Sequence, residues 1–356
     1  QSLVATNATF YGLSISATRT AYSSGNAVFV KRGTVSTKLT DVVPLDPYLL
    51  SGTRIAYFAN SGKYRVRNLV TGTTTSLSLT HVPADRQQLS LFGNYVAYVK
   101  PDGSVWRKDL TTTAAPVKLA GALSHFQFGY VVTWGDWVAW SRWTASGARN
   151  GFRNARTMSA ITTLPTTISV VSASVGGFTY QTSSGAYRYR RWTNSTTYAL
   201  PSSHRAVLWI YSDTGIAPPE VSGSRMAWIG ADGRPRVAPL PVHVADRPRS
   251  LGNARARHAL QLGATWSFDL VTSATLSQCA VKIQNSSGKT IRTLSCAKAA
   301  AQQGEIEASW DGKNASGHRV RAGSYTWLVA AGNSDGALVN ANGSTHPTKG
   351  TIEVSS

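Results

Sequence analysis

"GDWVAW" (residues 135–140) decides how this chain is read, because it recurs. "GTRIAY" (52–57), "GNYVAY" (93–98) and "GSRMAW" (223–228) repeat its form, and "ATRTAY" (17–22) and "GGFTY" (176–180) are weaker copies. The aromatic anchors Tyr22, Tyr57, Tyr98, Trp140, Tyr180 and Trp228 are spaced by 35, 41, 42, 40 and 48 residues. Four copies place a glycine five residues after the anchor: Gly62, Gly103, Gly185 and Gly233. They sit in "NSGK", "PDGS", "SSGA" and "ADGR", sequences that suit tight hairpin turns needing positive φ.

Each unit therefore reads as two strands, a tight turn, a third strand and a Thr/Ser-rich fourth. In the second unit these are "YLLSG" (48–52), "RIAYFA" (54–59), "YRVRNL" (64–69) and "TTTSLSL" (73–79). Four short strands repeated every 40 to 45 residues are the signature of a β-propeller blade. No segment carries the 3.6-residue apolar period of a helix. Six copies predict six blades over residues 1–260, and the 48-residue interval leaves room for a degenerate seventh. A strand around residues 4–10 is expected to complete the last blade. The motif resembles the TolB-like class of propellers.

Charge divides the chain at the same place. Residues 1–260 carry 28 Lys/Arg against 10 Asp/Glu, and residues 261–356 carry 8 against 6. The stretch "RPRSLGNARARHAL" (247–260) ends the repeat and reads as a linker. Beyond it, strands alternate with Gly/Asn/Ser turns over 261–356, as in a β-sandwich. The predicted class is thus all-β, a propeller followed by an immunoglobulin-like β-sandwich.

In "WDGKNASGHRVRAGSYTW" (310–327), Asp311 suits a turn whose backbone N–H groups it accepts, and Gly312 and Gly317 permit tight bends. Tyr325, Trp327 and Val329 share one strand face, as a sandwich core requires. Asp311, Asn314 and Ser316 lack the carboxylates and distal Glu of a calcium loop, so no metal is expected. This stretch resembles the immunoglobulin-like domain of the flagellar hook-capping protein family. The resemblance implies a spacer or assembly module rather than a catalyst. Cys279 and Cys296 flank "NSSGK", so a hairpin would place them opposite one another as a disulfide. A disulfide agrees with export, as does Gln1 in place of Met, although a chain cut elsewhere reads the same way.

No G-x-S-x-G, H-E-x-x-H, P-loop or G-x-G-x-x-G occurs, and of four Glu only Glu220 lies before residue 261. No cofactor is expected. Two features suit binding. Basic residues recur on or near each third strand, among them Arg65, Arg67, Arg107, Arg188, Arg190 and Arg234, and a guanidinium fork suits carboxylate or phosphate. The same arginines can instead lay their stems over blade edges. In "WGDWVAWSRW" (134–143), Trp137 and Trp143 share a strand face opposite Trp140 and could stack on a sugar ring.

The leading expectation is a secreted bacterial binding protein whose propeller takes a glycan or anionic surface polymer, alone or with other protein subunits. One alternative is an extracellular polysaccharide lyase or hydrolase using His81, His125 and His204; another is a structural scaffold of a surface assembly. Nucleic acid fits the charge but not export, and no apolar run reaches the roughly 20 residues of a membrane helix.

Overall fold

The structure, a computed structural model, describes residues 13–16, 19–24, 27–43, 48–77, 79, 89–201, 220–222, 225–229, 232, 234–251, 254–261, 263–297, 305–340 and 348–355. The closing strand expected near 4–10 and Gly233 lie outside them. All regular structure described is β. The chain divides into two compact units, built mainly of Arg19–Asp246 and Arg247–Ser356.

The first unit holds successive antiparallel sheets that follow the sequence repeat. The first runs Leu13–Ser16, Arg19–Ser24, Ala27–Arg32, Val35–Leu39; the second Leu49–Ser51, Arg54–Phe58, Tyr64–Asn68, Thr74–Ser76. The third is Leu89–Phe92, Tyr95–Val99, Val105–Asp109, Val117–Ala120. The fourth is Phe126–Trp134, Trp137–Thr144, Asn150–Asn154, Thr162–Leu164, with Gly147–Ala148 pairing its second strand. The fifth is Ile168–Ser174, Gly177–Thr182, Tyr187–Arg191, Thr197–Ala199; the sixth has Glu220–Ser222, Arg225–Ile229 and Pro235–Pro239 described. Strand order in each sheet equals chain order, so every connection is a local meander. Gly62, Gly103 and Gly185 hold φ of 76°, 77° and 80°, the left-handed turn geometry their positions predicted.

The hexapeptide explains how sheets stack. Side chains alternate along its strand, so the anchor aromatic and the alanine before it face opposite ways. Tyr57 shares one buried cluster with Ala21 of the first sheet, Tyr98 one with Ala56 of the second, and Trp140 one with Ala97 of the third. Each anchor thus packs toward the preceding sheet, whose motif alanine leaves the room it occupies. Tyr57, Tyr98 and Trp140 are each 1% exposed.

Polar groups join the same seams. At the first, the Ser23 hydroxyl donates to the Tyr48 hydroxyl at 3.2 Å. Thereafter a serine of one sheet accepts from a backbone N–H of the next. Gly93 donates to Ser51 Oγ at 2.8 Å, Thr133 to Ser90 at 3.1 Å, Val170 to Ser141 at 3.0 Å and Val221 to Ser172 at 3.1 Å. Those buried N–H groups lie in or beside the first strand of each sheet, where an unpaired donor would cost about 1–3 kcal/mol.

In the second unit, Arg255–Ala256, Trp266–Val271 and Glu305–Trp310 form one sheet. Ala259–Gln261, Lys349–Ser355, Gly323–Asn333, Gln278–Gln284 and Thr290–Ser295 form the other, in that order. Trp266, Phe268, Ile306 and Trp310 from the first share a core with Val281, Ile283, Trp327 and Ile352 from the second, which makes a sandwich. The segment 247–260 is therefore no linker: it supplies Arg255–Ala256 to one sheet and, with Ala259–Gln261, a strand parallel to Lys349–Ser355 in the other. The division falls at Asp246/Arg247 rather than near 260. Arginine and glycine content suggested solvent, but backbone pairing to open sheet edges governs the segment.

Asp311 Oδ1 accepts from the Lys313 N–H at 3.1 Å, and the Trp310 indole donates to the Lys313 carbonyl at 2.8 Å, so the acid-led stretch is a turn locked under the core. Cys279 and Cys296 are bonded across the Gln278–Gln284 and Thr290–Ser295 hairpin.

Two outcomes test this packing. Ala97→Leu should destabilise the chain by about 1–3 kcal/mol in urea unfolding, and Ala97→Leu combined with Trp140→Phe should cost less than the sum of the single changes. Replacing both cysteines by serine should remove about 3 kcal/mol, seen as an earlier transition of the second unit.

Candidate functional site

Position and burial of each sequence-predicted side chain decide what it can bind. Arg107 is buried. Its Nη2 donates to the Gly135 carbonyl at 3.0 Å and to Asp136 Oδ1 at 3.2 Å, and its guanidinium lies 3.8 Å from the centre of the Tyr95 ring. Asp136 also pairs with Arg156 Nε at 2.9 Å. Arg107 is thus a joint between the third sheet and the turn of the fourth, with no free face for a ligand.

Other basic residues work in the same way. Arg65 bonds Asp41 beyond the end of the first sheet. Arg54 Nε donates to Asn94 Oδ1 at 2.9 Å, at the motif position that Asp136 holds one repeat later. Arg142 Nη1 reaches back from the fourth sheet to the carbonyls of Gly103 (2.8 Å) and Gly121 (2.7 Å) of the third. Burial pulls the Arg142 pKa down to about 10, against the opposing pull of Asp102, and it stays charged at neutral pH. Arg153 Nη1 donates to the Leu119 carbonyl at 3.1 Å, across the same seam. Carbonyls at sheet ends would otherwise lack donors, and a guanidinium reaches two at once.

The seam between the fourth and fifth sheets is aromatic. Trp137 stacks on Trp192 with centroids 5.5 Å apart and planes 7° apart, and Phe152 and Phe178 pack around Trp192. Arg190 lies 5.6 Å above Phe152. Trp137 and Arg190, both predicted for ligand contact, therefore meet at this seam. Trp143 does share the Trp137 strand face, but sits apart from it: it stacks on Phe128 at 4.7 Å and meets Tyr130 edge-on at 5.5 Å. All three of these rings are half-buried.

Arg67 is half-buried on the second sheet, and its guanidinium makes no hydrogen bond or ion pair with the described residues. Arg188 and Arg234 are exposed. The eight predicted side chains do not share one surface role: Arg107, Arg65, Arg190 and Trp137 work between sheets, while Arg188, Arg234 and part of Trp143 meet solvent. His81 and His204 lie outside the described residues, and His125 is exposed with φ of 53°. Among the described residues no group of three His, Cys, Asp or Glu is placed to hold a metal.

Sequence reasoning missed the serine acceptors, Arg54 and Arg142. The one available signal was a small hydroxyl residue inside otherwise apolar first strands, such as Ser90 in "LSLF" (89–92). The seams also hold tyrosines: burial pushes Tyr98 up to about 12, and burial with the Asp41 carboxylate does the same to Tyr57.

Residues 255–335 match the FlgD Ig-like domain family, so the second unit carries an Ig-like domain of that type. No curated protein matches the chain. Among solved structures, a complex of KlAtg21 with the coiled-coil of AgAtg16 aligns at 10% identity and a TM-score of 0.44, covering 72% of this chain and 90% of that one. BamB from Moraxella catarrhalis aligns at 13% identity and a TM-score of 0.33, covering 84% of each.

The burial of Arg107 separates joint from surface. Arg107→Met should lower stability by about 3 kcal/mol because it strips a partner from the buried Asp136, whereas Arg188→Gln should change it by less than about 0.5 kcal/mol. Parallel urea denaturation of the two variants reads the difference.

Proposed function

We propose that this protein is a non-catalytic scaffold of an exported bacterial surface assembly. In this reading the successive sheets close as a six-bladed, TolB-like propeller, and the Ig-like domain is the module that docks or spaces it. The observation that carries it is the use of the functional-looking side chains. Arg54, Arg65, Arg107, Arg142, Arg153 and Trp137 fasten one sheet to the next, which yields a stiff body rather than a lined cleft. The Cys279–Cys296 bond supports an oxidising compartment. The FlgD-type domain supports a role in assembly, since that module resembles one from an appendage-building protein.

A second reading, recognition of a glycan or anionic surface polymer, draws on a different observation. Arg188 and Arg234 are exposed, and the side chains of Arg156 and Arg236 are 63% and 53% exposed. With 28 basic against 10 acidic residues before position 261, the field they add to attracts polyanions.

Sedimentation velocity on the full chain separates the readings. A scaffold should form discrete oligomers that grow with protein concentration and persist at physiological salt. A chain that stays monomeric throughout, yet co-sediments with purified anionic cell-wall polymer, would remove the scaffold reading in favour of the second.

A further inference from the structure

The "KPDGS" turn of the third sheet (100–104) gathers positive charge around an indole that none of the preceding joints uses. Trp106 lies opposite Tyr98 on one side and Lys118 on the other, and Lys100 follows Tyr98 by two residues, so all four share a sheet face. Lys100 Nζ sits 4.0 Å from the centre of the Trp106 ring and Lys118 Nζ 5.8 Å from it. Trp106 is half-buried, its body packed on the cluster that contains Tyr98.

This arrangement is held in place. The Trp106 indole N–H donates to Ser104 Oγ at 2.7 Å, and the Ser104 hydroxyl and backbone N–H both donate to Asp102 Oδ1. The turn closes through Gly103 N–H to the Lys100 carbonyl at 2.8 Å, with Gly103 at φ of 77°. A Cβ at Gly103 would come within 2.8 Å of the Phe126 ring, so only glycine fits. Arg142 clamps the Gly103 carbonyl from the fourth sheet.

The charges do not balance. Asp102 is the one carboxylate at the turn. Its hydrogen bonds from Ser104, and more weakly the fields of Lys100 and Lys118, hold its pKa below the usual carboxylate value. Neither lysine forms an ion pair with a carboxylate among the described residues. Two ammonium groups are instead drawn to one indole ring while repelling one another. An anion between them would remove that repulsion.

We propose that Lys100 and Lys118, on either side of Trp106 in the sheet, bind a carboxylate or phosphate group of an anionic surface polymer. This deepens the polymer-recognition reading and rests on it for the source of the anion. The group would bridge the two ammonium ions beside the indole, with the locked turn placing Lys100 and the pairing to Trp106 placing Lys118.

The test compares the parent chain with Lys100→Gln/Lys118→Gln and with Lys38→Gln/Lys63→Gln, two exposed lysines elsewhere on the unit, so that both variants lose the same charge. Each is titrated calorimetrically with polygalacturonate and with poly(glycerol phosphate). Inorganic phosphate is followed separately by the 15N resonance of the Trp106 indole, assigned with Trp106→Phe. Thermal unfolding confirms that the variants stay folded. The proposal expects phosphate to shift the Trp106 resonance, and the first variant to bind a polymer about tenfold more weakly while the second binds as the parent. Preference between the polymers tells carboxylate from phosphate. Equal weakening in both variants, or a Trp106 resonance unmoved by phosphate, overturns the site. If phosphate moves Trp106 but neither polymer binds the parent, the site stands and the polymer reading falls.

Discussion

The second, third and fourth sheets of the first unit each depend on a short contact with the sheet before it. An aromatic anchor meets a motif alanine, and a serine oxygen completes the hydrogen bonding beside them. The two halves answer different needs. Apolar burial of a Trp or Tyr contributes on the order of 1.5–3 kcal/mol per side chain but does not fix direction. The Ser51, Ser90, Ser141 and Ser172 acceptors do, because a buried backbone N–H in or beside an edge strand has to find an oxygen at hydrogen-bond distance. Repeated seam by seam, the contact sets both spacing and register.

The arginines extend that arrangement outward. Arg54 to Asn94 and Arg107 to Gly135 and Asp136 join the same motif positions at successive seams, and Arg142 and Arg153 return from the fourth sheet to the third. A chain with 36 Lys/Arg and 16 Asp/Glu thus directs much of its guanidinium chemistry to its own carbonyls. Carboxylates are too few to neutralise these groups, so the charge remains while the forks are occupied. That separates field from site: the basic surface attracts anions over a distance, and only side chains outside the seams can grip them.

The two units reach order by different routes. In the first, a bulky residue and a small one alternate along every second strand. In the second, Trp266, Trp310 and Trp327 fill one shared core between two sheets, and the Asp311 turn is fixed from beneath by the Trp310 indole. The stretch that most resembles a metal loop in sequence is therefore covalently ordinary and sterically determined, a turn with its acid bonded to its own backbone.

Much of this was legible in the residues. The hexapeptide spacing marked the sheets, the glycines at 62, 103 and 185 marked the hairpins, strand parity placed Trp137 and Trp143 opposite Trp140, and Cys279 and Cys296 announced their bond. These are local properties, set by alternation and backbone sterics within about forty residues. What the tertiary structure alone decided is the partner of each side chain. Arg65 and Arg188 hold like positions on their third strands, opposite the anchors Tyr57 and Tyr180, yet one is half-buried against Asp41 and the other meets water, because only the packing of the neighbouring sheet determines which guanidinium has a partner within reach. Residues 247–260 show the same limit: composition marked an end to the repeat, and edge pairing in the second unit made strands of it.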